Sequence, residues 1–158
     1  MSDYHDWHEL AALADRVDGW LAAIATGNPA IASIDRGTSD DTMTGDPRWL
    51  VRMRGEEKDV TTVWLTLGQR TLRYETYVMP APEENASALY EHLLRRNERL
   101  VGAHFAIGVE DAVFLRGELP DVALNEAELD RILGTLYATV EQCFRGLIRI
   151  GFASRLAD

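Results

Sequence analysis

The chain has 158 residues, of which 46% are hydrophobic and 27% charged, ordinary values for one soluble globular domain long enough to bury a core unaided. Wholesale disorder is excluded, and no apolar run approaches the roughly 18 residues of a transmembrane helix. A lone cysteine, Cys143, excludes an internal disulfide and a four-cysteine zinc site.

The formal net charge is −10, from 26 acidic and 16 basic residues. It is unevenly spread: residues 1–47 carry nine acids and two bases, 48–100 eight and nine, 101–158 nine and five. An acidic whole is repelled by phosphate backbones and by anionic membrane surfaces, so neither nucleic acid nor membrane is an expected partner. Only the middle third can present a local basic face. The start of the chain, Met1-Ser2-Asp3-Tyr4-His5-Asp6, has no basic and apolar signal-peptide pattern, which points to the cytoplasm.

Residues 6–26 read as a helix. Leu10, Leu13, Val17, Trp20, Leu21 and Ile24 recur at spacings of three and four, with Asp6 and Glu9 as a capping box and Gly27-Asn28-Pro29 as the stop. Residues 28–47 are polar and turn-rich and read as a surface linker, with at most a short turn or edge segment at Pro29–Ala32. Three runs of period two follow. Trp49, Val51 and Met53 alternate with Leu50, Arg52 and Arg54; Val63, Leu65 and Leu67 with Thr62, Trp64 and Thr66; Leu72, Tyr74, Thr76 and Val78 with Arg73, Glu75 and Tyr77. The short links 56–59 and 68–70 make these strands a meander.

Pro80-Ala81-Pro82 ends the third strand, and Pro82 suits a first helical turn. The helix expected from there to about Arg99 has Glu83 and Glu84 at its start and Arg95, Arg96 and Arg99 at its end, complementing the dipole. Strands at 104–109 and 113–119 come next, joined by a tight turn at Glu110-Asp111, with Phe105, Ile107, Val109, Val113, Leu115 and Leu119 directed inward. The last helix is capped by Asn125 with Glu128 three residues on, and keeps apolar spacing from Leu129 to Ile148, with Gly146 a candidate bend or early end. The expected fold is α+β, a single five-stranded antiparallel sheet with helices in the order α-βββ-α-ββ-α.

No constellation of catalytic groups emerges. His5 and His8 are three apart but lack a third metal ligand, and His92 and His104 stand alone. Cys143 reads as a small buried hydrophobe. Glu56-Glu57-Lys58-Asp59 reads as a solvated hairpin tip. No phosphate-binding glycine loop or nucleophile elbow is present, so neither cofactor nor metal is expected. One set stands out by parity. Arg52, Arg54, Trp64, Arg73, Tyr77, Phe114 and Arg116 fall on the strand face turned from the core, together with Thr62, Thr66, Glu75 and Glu118. Arginines and aromatics are enriched at protein interfaces. Arg–Glu cross-strand pairs also stabilise an ordinary exposed sheet. Three large aromatics left in water, however, form an apolar patch that calls for a cover.

Several stretches resemble the actinobacterial branch of the YbjN family, described as bacterial sensory transduction regulators: Val51–Asp59, Thr62–Leu67, Tyr74–Tyr77, Met79–Asn85, Phe105–Gly108 and Ile150–Arg155. The resemblance runs from about Arg48 to Arg155. It implies a type III secretion chaperone-like fold, a curved antiparallel sheet with helices around it, in one domain over residues 1–158. Such chaperones are small acidic homodimers that bind protein partners and catalyse nothing, and the family supplies no catalytic residue to carry over. The expected function is a non-enzymatic protein-binding module, chaperone-like or a regulatory adaptor, that works as a homodimer. The alternative is a small-ligand or enzymatic site on the sheet face or at a dimer seam.

Overall fold

The computed structural model describes residues 7–38 and 45–156. Helix α1 spans Trp7–Gly27, followed by strands β1 (Ile31–Thr38), β2 (Pro47–Arg54), β3 (Val60–Leu67) and β4 (Thr71–Met79). Helix α2 (Ala86–Asn97), strands β5 (His104–Ile107) and β6 (Val113–Pro120) and helix α3 (Glu126–Gly151) complete it. The strands form one antiparallel sheet in the order β1-β2-β3-β4-β6-β5.

The sheet therefore has six strands, not five, and the correction lies in the supposed linker. Ile31–Thr38 pairs along β2, with Arg36 opposite Trp49 and Asp35 opposite Leu50. A register shift between Ile31 and Ser33 breaks the period of two. Ile31 and Ile34, three apart, both pack on the core. Part of this edge strand is held by polar contacts rather than by burial. Arg36 pairs with Asp18 of α1 and lies 5.6 Å over the ring of Trp49, whose Nε1 donates to Asp18 at 2.7 Å. Trp49 itself is fully buried. Residues 39–44 of that stretch, and the expected cap Asp6, lie outside the described residues.

Along β2, β3 and β4 the expected parity holds. Trp49, Val51, Met53, Val63, Leu65, Leu67, Leu72, Tyr74, Thr76 and Val78 are all buried. They meet Leu10, Leu13, Val17 and Leu21 of α1, Leu89 and Leu93 of α2, and Leu129, Ile132, Leu133, Leu136, Val140 and Leu147 of α3. Helix α3 lies against β3 and β4, and both other helices pack on it. All three helices thus cover one face of the sheet. Asn125 caps α3, accepting from the Glu128 N–H at 2.9 Å. The helix runs through Gly146 without ending there.

Two expectations fail at strand and helix ends. Helix α2 begins at Ala86, after Asn85 in a left-handed conformation (φ 56°), and not at Pro82. The preceding loop is spent on α3 instead. The N–H groups of Glu83 and Glu84 donate to the Gly151 carbonyl at 3.0 and 3.1 Å, Asn85 Nδ2 donates to Ile150 O at 2.9 Å, and Ser154 Oγ donates to Glu84 at 2.8 Å. The first three satisfy carbonyls that a helix C-terminus leaves without partners. Strand β5 stops at Ile107, because Gly108 turns the chain. Ile107 (51% exposed) and Val109 (70%) consequently face solvent rather than the core. The tight turn expected at Glu110-Asp111 is present, with both residues at positive φ.

Gly117 of β6 allows the closest approach near the site described below. A Cβ there would lie 2.3 Å from the Gly102 carbonyl oxygen and 2.4 Å from the Tyr74 ring, whose hydroxyl donates to that same carbonyl at 2.5 Å. Gly117→Ala is expected to destabilise the fold by about 1–3 kcal/mol, read as a lowered denaturant midpoint; an unchanged midpoint would show that Tyr74 moves aside freely.

Candidate functional site on the bare sheet face

With every helix on one side, the other face of the sheet carries the alternate residues of each strand. Register places Leu50, Trp64, Glu75 and Arg116 in one cross-strand row, with Asp35 at one end and His104 at the other. A neighbouring row runs Arg48, Thr66, Arg73 and Glu118. A third contains Arg52 opposite Thr62, and Tyr77 opposite Phe114. Trp64 is half-buried, and among the described residues those lining the groove around it all come from strands. The indole and the guanidinium groups of Arg52 and Arg73 therefore share the face that the helices leave open.

The seven residues singled out by parity divide into two groups. Arg52 is exposed and paired with Asp35 at 2.5 Å, Arg54 is exposed at the end of β2, and Arg73 is exposed between Thr66 and Glu118. Arg116 donates to Glu75 at 2.7 Å and lies 4.6 Å over the ring of Phe114. Phe114, by contrast, is not an aromatic left in water, while Tyr77 is half-buried, as Trp64 is. Phe114 is only 7% exposed. It meets Tyr77 edge-on, with centroids 5.7 Å apart at 83°, and Gly108 lies so close that a Cβ there would come within 2.4 Å of the ring.

Tyr77 is covered from a second direction. Lys58 at the tip between β2 and β3 lies 5.1 Å over its ring and 5.7 Å over that of Phe144 on α3, while its Nζ donates to the Tyr77 carbonyl at 2.6 Å. Burial lowers the Lys58 pKa and raises that of Tyr77. The tip is thus not the solvated turn expected from its charges. The Glu57 N–H donates to Glu141 at 2.8 Å, Glu57 pairs with Arg145, and Tyr137 donates to the Arg54 carbonyl at 2.9 Å. Of the three aromatics expected in the patch, Phe114 is buried, and Trp64 and Tyr77 are both half-buried, Tyr77 beneath Lys58.

Arg48 is the residue that the strand reading passed over. Its guanidinium carbon lies 5.9 Å from the Trp64 centroid, and its Nε is sheltered from solvent without an acceptor. Its parity with Arg52 and Arg54 was available in the sequence. Arg48, Trp64, Thr66, Arg73, Glu75, Arg116 and Glu118 line a groove of about 550 Å³ whose floor includes Tyr74 and Gly117. Such a groove offers an indole edge and guanidinium donors to a ligand.

Among the described residues no three His, Cys, Asp or Glu side chains gather closely enough to hold a metal, and no helix is long and apolar enough to cross a membrane. His5, one of the paired histidines, lies outside the described residues. Cys143 is buried on α3, as expected, and desolvation pushes its thiol up to about 11. Alkylation of native protein at pH 8 is therefore expected to be slower than in denaturant by about a hundredfold or more, since a thiolate is the reacting form. Comparable rates in a stopped iodoacetamide assay would mean that the helix opens readily.

Comparison with solved structures finds the same fold in a chain of the heterodimeric ExoU–SpcU complex from the type III secretion system of Pseudomonas aeruginosa. The TM-score is 0.52 at 15% identity, over 83% of this chain and 96% of that one. The type III secretion chaperone-like architecture implied by the sequence resemblance is therefore present. Among curated proteins, an uncharacterized protein of Mycobacterium tuberculosis is 33% identical over 110 residues, and one of Mycobacterium leprae 30% over 109. These alignments cover 70% and 69% of this chain but only 60% and 59% of the relatives, so the chain spans about three-fifths of their length. The family described as "Putative bacterial sensory transduction regulator" matches residues 14–149, starting well before Arg48 and taking in most of α1 and all of β1. With that match over most of its length, the chain belongs to the YbjN family.

Proposed function

We propose that the protein is a non-enzymatic protein-binding module, a chaperone-like or regulatory adaptor, that docks a partner on the bare face of its sheet. The observation that carries this reading is the position of Trp64: half-exposed in the middle of the sheet, on the side no helix covers, among arginines. Desolvating an indole yields a large share of binding energy, and guanidinium groups around it fix orientation. Arg52, Arg54, Arg73 and Arg116 supply that rim. Tyr77 and Phe114, already packed against their own chain, hold the surface in shape. The family description and a fold found in a two-protein secretion complex support a protein partner.

The same proposal includes a homodimer, with its seam away from this face. Four of the seven strongly exposed large apolar side chains among the described residues, Leu94, Val101, Ile107 and Val109, come from the short stretch spanning the end of α2, β5 and the turn after it. Apolar side chains concentrated in this way mark association surfaces.

Affinity capture from cell extract with the wild-type chain and with Trp64→Ala is the direct test of the docking face. The substitution should abolish a specific captured protein while leaving the circular dichroism unchanged; capture indifferent to the substitution would remove the face from consideration. For the dimer, sedimentation at micromolar concentration should give twice the 17.7 kDa chain mass, and Leu94→Glu with Ile107→Glu should return the monomer. A wild-type monomer would refute that part of the proposal.

A further inference from the structure

We infer that the docking groove selects an acidic segment of its protein partner, with carboxylates seated between Arg48 and Arg73 beside Trp64. The inference rests on the proposed function above and specifies the chemistry of the partner. The bare face carries five arginines, at 48, 52, 54, 73 and 116, against three carboxylates, Asp35, Glu75 and Glu118, on a chain of net charge −10. Two of those arginines are already matched, Arg52 by Asp35 and Arg116 by Glu75. Arg48, Arg54 and Arg73 have no ion-pair partner among the described residues, while Glu118 is the one carboxylate of the three without such a partner. The face is therefore a basic island on an acidic protein, with one of its two excess positive charges in the groove beside the indole and the other at Arg54.

Arg48 adds a local reason. It lines the groove with no ion-pair partner among the described residues, and charge-assisted hydrogen bonds between arginine and a carboxylate are among the stronger polar contacts. Arg73 stands one strand beyond Thr66 in the same row, on the other side of the groove. A second copy of this chain does not fit as the occupant through the same face, because a symmetric contact would set one basic island on the other. A nucleic acid fits less well than an acidic peptide. Its uniform charge must run beyond the island onto an acidic surface, and Glu75 and Glu118 interrupt the basic track. A peptide can place a few carboxylates at Arg48 and Arg73 and neutral groups elsewhere.

Selection from a displayed library of random twelve-residue peptides tests this, because a chain of net charge −10 does not enrich acidic peptides by bulk attraction. The expected result is a consensus rich in Asp and Glu. A synthetic peptide of that consensus should bind at least about tenfold more weakly to the Arg48→Gln/Arg73→Gln double variant, and should lose binding as salt rises. A neutral or basic consensus, or no enrichment, would overturn the inference. Selected peptides that need Trp64 but ignore the two arginines would overturn the acidic specificity and leave the docking face standing. Binding that ignores Trp64→Ala as well would remove both. A labelled single-stranded oligonucleotide serves as the competing anion: if it binds this face with a steep salt dependence that the double variant removes, the partner is nucleic acid and the inference fails.

Discussion

A sheet strand gives its two faces to alternate residues, so burying one face decides what the other can be. Here the three helices spend their apolar stripes on a single side of the sheet, and α3 lies against β3 and β4. The opposite side is left to residues chosen under a different constraint. They must be tolerated in water, yet besides Thr62 and Thr66 they are mostly larger than the short polar side chains that would suffice for that. Arginine, tryptophan and glutamate stand there in cross-strand rows. Shifting β3 by one residue would bury Trp64 and expose Leu65, so the core and the candidate site are fixed by the same register.

The edges of the sheet are handled separately. At β5 the side-chain amide of Asn97 accepts from the Phe105 N–H at 2.7 Å and donates to its carbonyl at 3.2 Å, taking up both backbone groups where another strand would pair. At the opposite edge, β1 carries Asp35 and Arg36, each tied by a salt bridge to a different layer: Asp35 to Arg52 on the open face, Arg36 to Asp18 on α1. Strand β1 thereby links the helical layer to the bare face through charge rather than through buried area.

That difference explains what the sequence revealed and what it hid. Wherever a strand lies between two others and under a helix, as β2 to β4 do, burial writes a period of two into the sequence, and the inward and outward sets could be read residue by residue. The family likeness added the topology. Strand β1 left no such trace, because its bulge places Ile31 and Ile34 on one side and its inward position 36 holds an arginine. The start of α2 was hidden for another reason. Pro82 satisfies the local rule for a helix start, but Glu83, Glu84 and Asn85 are taken by the end of α3, sixty-odd residues away in sequence. Local propensity cannot register a partner that far along the chain.

The site shows the same division. Parity correctly placed all seven proposed residues on the strand face away from the core, because parity depends only on strands. It could not tell which of them were free, because that depends on chain segments arriving from elsewhere. The Gly108 turn closes over Phe114, and the hairpin tip brings Lys58 onto Tyr77. The two aromatics form a packed edge-on pair flanked by a lysine and an arginine. Trp64 meets only Arg48 in this way, and Arg48 has no carboxylate of its own among the described residues. What distinguishes the indole from the other two rings is therefore not exposure alone but an unsatisfied neighbour. A guanidinium beside an indole with no carboxylate of its own is a combination that neither Tyr77, under Lys58, nor Phe114, under the Glu75-paired Arg116, offers.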